Sequence, residues 1–223
     1  MWVKICANTS LDDARLALEL GADAVGFVFA PSARQVTPEQ VAAIVPELPE
    51  SAEKIGVFVA GDAAAIGDVV RATGLTGVQL HGSYDAELTR RLREGLGDRV
   101  TIIQTLHWRV DGDGSNSEEV AAQLEAIEAD GFVDRVMVDS KTGKGSGGTG
   151  IAFDWRAASA IFAGSRVRLI VAGGLRPENV AEAIGALKPW GVDVASGVEA
   201  VPGRKDPAKL LRFMENARTS QTV

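Results

Sequence analysis

Short runs rich in β-branched residues recur along this chain, and each is followed by a stretch with helical periodicity. The runs are Val3–Cys6, Ala24–Phe29, Ile55–Val59, Val78–His81, Thr101–Leu106, Val136–Asp139, Leu169–Ala172 and Val192–Ala195. The helical stretches are Leu11–Leu20, Pro38–Val45, Asp62–Ala72, Asp85–Gly95, Ser117–Ala129, Asp154–Ala163, Pro177–Leu187 and Pro207–Ala217. Strands that alternate with helices cannot pair as hairpins, so each connection crosses over and the strands lie parallel. Eight such pairs with no spare element predict an α/β fold, a closed (βα)8 TIM barrel, with residues 1–223 as a single domain. An open doubly wound sheet is the competing arrangement, but it more often has about five to seven strands. Helix boundaries are well marked. Thr37-Pro38 and Arg176-Pro177 put proline at a first helical position, Asp85 and Ser117 are expected N-caps, and Gly21 and Gly74 close helices.

Composition narrows the class. The chain has 223 residues, 46% apolar and 24% charged, the balance of a soluble globular protein with a core that needs no staple. One cysteine rules out an intrachain disulfide and fits a reducing cytoplasm. No run approaches a membrane span, and Met1–Cys6 lacks the basic and apolar regions of a signal peptide. A net charge of −7 argues against a nucleic-acid partner, while leaving room for a small anion held by a few local donors.

Alternation within the strands says more. One face of a barrel strand meets the helices and should be apolar; the other faces the lumen. Val3 and Ile5, Val78 and Leu80, Val136 and Val138, and Val192 and Val194 form the outward pairs. That leaves Lys4, Cys6, Gln79, His81, Met137, Asp139 and Asp193 pointing inward. Buried titratable groups are costly unless paired, so their convergence asks for a function or a structural network. Cys6, His81 and Asp139 end their strands, on the rim where barrels carry active sites.

Lys4 shares a face with Cys6, and a cation there would favour a thiolate able to act as base or nucleophile. Asp139 opens the glycine-rich stretch Lys141–Gly150, a candidate lid or source of backbone N–H groups for an anion, with Gly148 among the donors. The stretch lacks the spacing of a triphosphate-binding loop. Gly173-Gly174 and Ser196-Gly197 follow the last two strands, where barrels commonly hold phosphate. Arg34, in the loop after the second strand, could clamp a carboxylate bidentately.

Taken together, these motifs resemble the phosphoribosylanthranilate isomerase family nearly end to end. The matching segments include Lys4-Ile5-Cys6, Gly21–Phe29 with Ser32 and Arg34, Val78–Gly82, Val138-Asp139-Ser140 and Gly147–Gly150 with Phe153-Asp154-Trp155. They continue through Ala172–Leu175 with Pro177, Asn179 and Val180, then Gly191–Val194, Ser196–Glu199 and Gly203 with Lys205-Asp206. The resemblance implies an Amadori rearrangement of N-(5′-phosphoribosyl)anthranilate to the deoxyribulose form, a step of tryptophan biosynthesis that takes no cofactor. It implies Asp139 as the general acid that opens the furanose ring and Cys6 as the general base at C2. It also implies Arg34 on the anthranilate carboxylate and the phosphate on N–H groups around Gly173, Gly174, Ser196 and Gly197. Departures are Ala7 where the family commonly has glycine, Ala195 in place of the first of two serines, and Ser83-Tyr84 where an acidic residue is usual.

Rival readings remain. An isomerase acting on a different phosphorylated aminoaldose, as in the histidine pathway, resembles a twofold repeat with aspartate where this chain has Cys6. A metal-dependent epimerase needs several histidine and acidic ligands; this chain has two histidines, and His107 is expected in a loop, so no metal is expected. A non-catalytic phosphate-binding barrel would keep the glycine loops but has no need of Cys6 and Asp139 together. The expected partner is a small phosphorylated substrate, with the chain a monomer or homodimer. Lys4, His81 and Asp193 are further candidates that either touch substrate or support the barrel.

Overall fold

Side-chain caps set most of the helix starts. Ser10 accepts from the Asp13 N–H ahead of α1 (Leu11–Glu19), and Asp62 accepts from Ala65 ahead of α3 (Ala63–Thr73). Thr37 and Gln40 cap each other's backbone across the start of α2 (Pro38–Ile44), with Pro38 at its first position. Asp85 takes two N–H groups at α4 (Ala86–Leu96), and Gly74 closes α3 in the left-handed region at φ 72°. Two expected starts move. Ser117 is the first residue of α5 (Ser117–Asp130), and Asn116 before it spends its amide on the Arg109 N–H and the His107 carbonyl. Pro177 lies outside α7 (Val180–Leu187), because Asn179 ties the Arg176 N–H and the Gly174 carbonyl into a tight turn first. The remaining helices are α6 (Trp155–Gly164) and α8 (Pro207–Thr219).

The strands between them are β1 (Trp2–Ile5), β2 (Ala24–Val28), β3 (Glu53–Phe58) and β4 (Gly77–Leu80), then β5 (Thr101–Arg109), β6 (Arg135–Lys141), β7 (Arg168–Ala172) and β8 (Gly191–Val194). They pair in sequence order, all parallel, and β8 returns to β1 to close the barrel, with Lys4 opposite both Ala24 and Asp193. This computed structural model describes residues 1–59, 61–109, 116–141 and 155–219. No helix among the described residues is long and apolar enough to cross a membrane.

Two expectations about the elements need correction. After β8 the chain adds a 3-10 turn (Ser196–Val198) and an antiparallel hairpin, β9 (Glu199–Val201) with β10 (Arg204–Lys205), so eight pairs are not the whole inventory. At three and two residues, these strands are too short to show alternation. Secondly, β5 runs to Arg109 and holds His107 in the barrel wall opposite Asp139, not in a loop.

The alternation of faces is as expected. Val3, Ile5, Val78, Leu80, Val136, Val138, Val192 and Val194 join the large apolar layer under the helices. A separate cluster inside the lumen contains Trp2, Ala24, Ile55, Ile103, Met137 and Ile170. At its lower end the rings of Trp2 and Trp190 stack at 5.3 Å, and the Arg135 guanidinium packs against both, 5.0 and 4.6 Å from their centroids, and pairs with Glu53. A cation on two aromatic faces with a carboxylate partner closes the bottom of the barrel and leaves the upper rim open.

Candidate active site

The upper lumen is held together by a buried cation. Lys4 Nζ donates to Asp193 Oδ1 at 2.6 Å and to Gln79 Oε1 at 2.9 Å, and Gln79 passes a hydrogen bond on to Thr105 at 3.1 Å. Burial opposes the charge on Lys4, but the Asp193 carboxylate and the nearby thiol outweigh it and hold the ammonium above its ordinary range. Lys4 and Asp193 are therefore a satisfied pair, and Lys4 is a strut below the cavity and not part of its wall.

Cys6 sits one residue beyond β1, buried, on top of this network. Lys4 favours the thiolate as expected, but burial outweighs it. Burial raises the thiol above its ordinary value; Lys4 pulls it back only in part, since the Asp193 charge opposes it. The rare thiolate is correspondingly the stronger base. Gly26 on the neighbouring strand is what leaves room for the sulfur: a Cβ there would stand 2.7 Å from Cys6 Sγ and 3.0 Å from Lys4 Cε. The next residue, Ala7, is buried in the left-handed region at φ 61°, a conformation that glycine would take with less strain. Because burial favours the neutral thiol, iodoacetamide should label Cys6 more slowly than a free thiol at neutral pH. The rate should climb only above the ordinary thiol range. Mass spectrometry across pH measures it, and fast labelling at pH 7 would contradict the raised value.

Across the rim, β6 delivers Asp139 and β4 ends just before His81. His81 Nε2 is 3.8 Å from Asp139 Oδ2, and His107 Nε2 is 3.1 Å from the His81 carbonyl. The two imidazole rings meet edge to face at 4.7 Å.

Arg34 is already partnered. Its Nε lies 2.9 and 3.0 Å from the two Glu199 oxygens and its Nη2 lies 2.7 Å from Oε2, a fork-on-carboxylate geometry. That bonding holds the guanidinium above its ordinary range. Burial works against the Glu199 charge, but Arg34 and Lys205 overcome it and keep Glu199 below the usual carboxylate range. The fully buried Lys205 Nζ, itself pushed down by burial, also donates to the Cys6 carbonyl at 2.5 Å. The hairpin that went unexpected thus ties Arg34 to the backbone of Cys6. Glu199 and Lys205 carry no periodic or motif signal of their own; only their place in the family pattern marked them.

The phosphate end is built by close backbone approach. Gly173 and Gly174 take φ 82° and 65°, and a Cβ on Gly197 would stand 1.9 Å from the Leu175 carbonyl oxygen. The loops after β7 and β8 can lie this close only with glycine at 197. One cavity of about 210 Å³ is lined by Cys6, Arg34, His81, Asp139, Gly173, Gly174, Asp193 and Ser196 among others. Gly197 supports its wall from behind. Gly148 and the rest of the glycine-rich stretch from 142 to 150 lie outside the described residues.

A family model described as N-(5'phosphoribosyl)anthranilate (PRA) isomerase matches residues 3–216. The N-(5'-phosphoribosyl)anthranilate isomerase of Pelobacter propionicus is 39% identical, over 99% of this chain and 97% of its own length. The crystal structure of phosphoribosyl anthranilate isomerase from Thermotoga maritima superposes with a TM-score of 0.86 at 38% identity, covering 98% of this chain and 99% of that one. A crystal structure of such an isomerase in complex with reduced 1-(o-carboxyphenylamino)-1-deoxyribulose 5-phosphate superposes with a TM-score of 0.82 at 37% identity, covering 98% and 99%.

Proposed function

The chain belongs to the N-(5'-phosphoribosyl)anthranilate isomerase family, and we propose that it performs the family's rearrangement with Cys6 as general base and Asp139 as general acid. It is an isomerase of tryptophan biosynthesis. The observation that carries the assignment of roles is that Cys6 and Asp139 share one cavity with Gly173, Gly174 and Ser196 at one end and Arg34 near the other groups of its wall. In this reading the substrate's phosphate sits on backbone N–H groups around Gly173, Gly174, Ser196 and Gly197, with Gly148 as a further donor. Its anthranilate carboxylate meets the edge of Arg34 that Glu199 leaves open.

Asp139 then gives a proton to the furanose ring oxygen, and the C1–O bond breaks to leave a Schiff base. Cys6 removes the C2 proton, which the iminium nitrogen has acidified, and the resulting enolamine tautomerises to the ketone. One carbon is reduced as its neighbour is oxidised within the same molecule, so proton transfers suffice for the balance. His81, within reach of Asp139, positions that carboxyl group. The reading takes the chain as one barrel domain acting on a small phosphorylated molecule. It places the chain in the cytoplasm, where a reducing pool keeps the Cys6 thiol available.

The test is the decay of anthranilate-moiety fluorescence after mixing the protein with freshly made phosphoribosylanthranilate, with the ketose product identified. Fast decay that requires Cys6 supports both reaction and base; no protein-dependent decay overturns the assignment in favour of another phosphorylated aminoaldose or a binding role. Arg34→Ala should raise KM about ten- to a hundredfold, the loss of one charged hydrogen-bonding partner, with kcat changed only a few-fold. Steady-state kinetics decide it, and an unaltered KM would remove Arg34 from substrate binding.

A further inference from the structure

We propose that His81, His107 and Asp139 form a site for a borderline divalent metal ion, Zn²⁺ foremost, and that occupation of this site switches the enzyme off. The three ligand-bearing groups come from adjacent strands of the barrel wall: His81 just past β4, His107 two residues before the end of β5 and Asp139 two residues before the end of β6. One ligand atom from each lies within 4.8 Å of the others. A tetrahedral zinc ion with bonds of about 2.0–2.1 Å separates its ligands by about 3.4 Å. Closing the remaining gap takes small side-chain rotations, and the open rim leaves the fourth position to water or to a substrate oxygen.

The donor chemistry supports this. The carbonyl oxygen of His81 can only accept, so the 3.1 Å contact fixes the proton of a neutral His107 on Nε2. That leaves the lone pair of His107 on Nδ1. A ring nitrogen that donates to a backbone carbonyl while its partner nitrogen carries the lone pair is the arrangement that orients metal-bound histidines. Two imidazoles and one carboxylate are a zinc set, whereas magnesium and calcium favour all-oxygen shells. The consequence for activity follows from Asp139. A carboxylate bound to a metal cannot deliver a proton to the substrate, so an ion at this site blocks the acid step. Binding does not depend on the proposed reaction; the inhibition does.

The test uses the full chain freed of metal with a chelator. Zinc binding is measured by competition with a chromophoric chelator, and Co²⁺ serves as a spectroscopic stand-in. The expected results are one zinc per chain and a cobalt spectrum lacking the near-ultraviolet thiolate charge-transfer band that coordination by Cys6 would give. His107→Gln should weaken zinc binding at least about tenfold and shift the inhibiting zinc concentration equally, each rate being compared with the same protein's metal-free rate. Cys6→Ala should bind zinc as tightly as the parent. A thiolate band, binding lost in Cys6→Ala, no binding at all, or unchanged binding in His107→Gln would each overturn the site. Should the parent chain prove inactive on phosphoribosylanthranilate, the binding and cobalt measurements still decide this proposal by themselves.

Discussion

Cys6→Ala and Asp139→Asn are each expected to lower kcat by about a hundred- to ten-thousandfold, the range that removal of one positioned acid or base produces. Neither change should disturb the fold. Cys6 is a small group on top of the lumen network, and Asp139 lies at the cavity with its hydrogen-bonding shape retained by asparagine. The two residues serve successive steps, ring opening and C2 deprotonation. In the double variant the slower step sets the rate, so the double loss should fall well short of the product of the single losses. Single-turnover fluorescence with each variant, beside its thermal melt, measures this. Near-parent turnover in either single variant with an unchanged melt would remove that residue from the mechanism.

Lys4→Met should cost about 3–5 kcal/mol of stability, because it strands the Asp193 carboxylate in the lumen without the cation 2.6 Å away. For a chain of this size each kcal/mol moves Tm by about 2–4 °C, so the melt should fall by roughly 6–20 °C. The companion variant Lys4→Met with Asp193→Leu removes both charges and should recover most of the loss, since an apolar pair of similar volume needs no desolvated ions. Chemical denaturation of the three proteins decides the matter. If Lys4→Met cost less than about 1 kcal/mol, the pair would not be the strut described above.

Much of this architecture was legible in the sequence because period two and period 3.6 leave separate marks. The outward valines of β1, β4, β6 and β8 and the inward Lys4, Gln79, Met137 and Asp193 needed only alternation. Cys6, His81 and Asp139 could be placed on one rim because each ends its run. What escaped was whatever depends on contacts distant in sequence. Glu199 and Lys205 lie on a hairpin too short for a periodic signal, and their importance comes from meeting Arg34 and Cys6 in space. His107 was misplaced because the polar stretch after it hid the length of β5. The state of the Cys6 thiol was misjudged for a related reason. Lys4 is visible two residues away, but the burial that outweighs it exists only in the folded barrel, and the carboxylate that adds to it is 189 positions along the chain from Lys4.

That separation has a bearing on how the polypeptide is made. β1 leaves the ribosome before the other seven barrel strands, yet one of its two neighbours is β8, the last barrel strand to be synthesised. At about 5–20 residues per second, Lys4 waits roughly 10–40 s before Asp193 exists. During that interval the nascent sheet has an unpaired edge and an ammonium that cannot yet enter an apolar lumen. The barrel can therefore close only once β8 has been made, and a ribosome stalled before β8 should expose a species that chaperones bind and proteases cut.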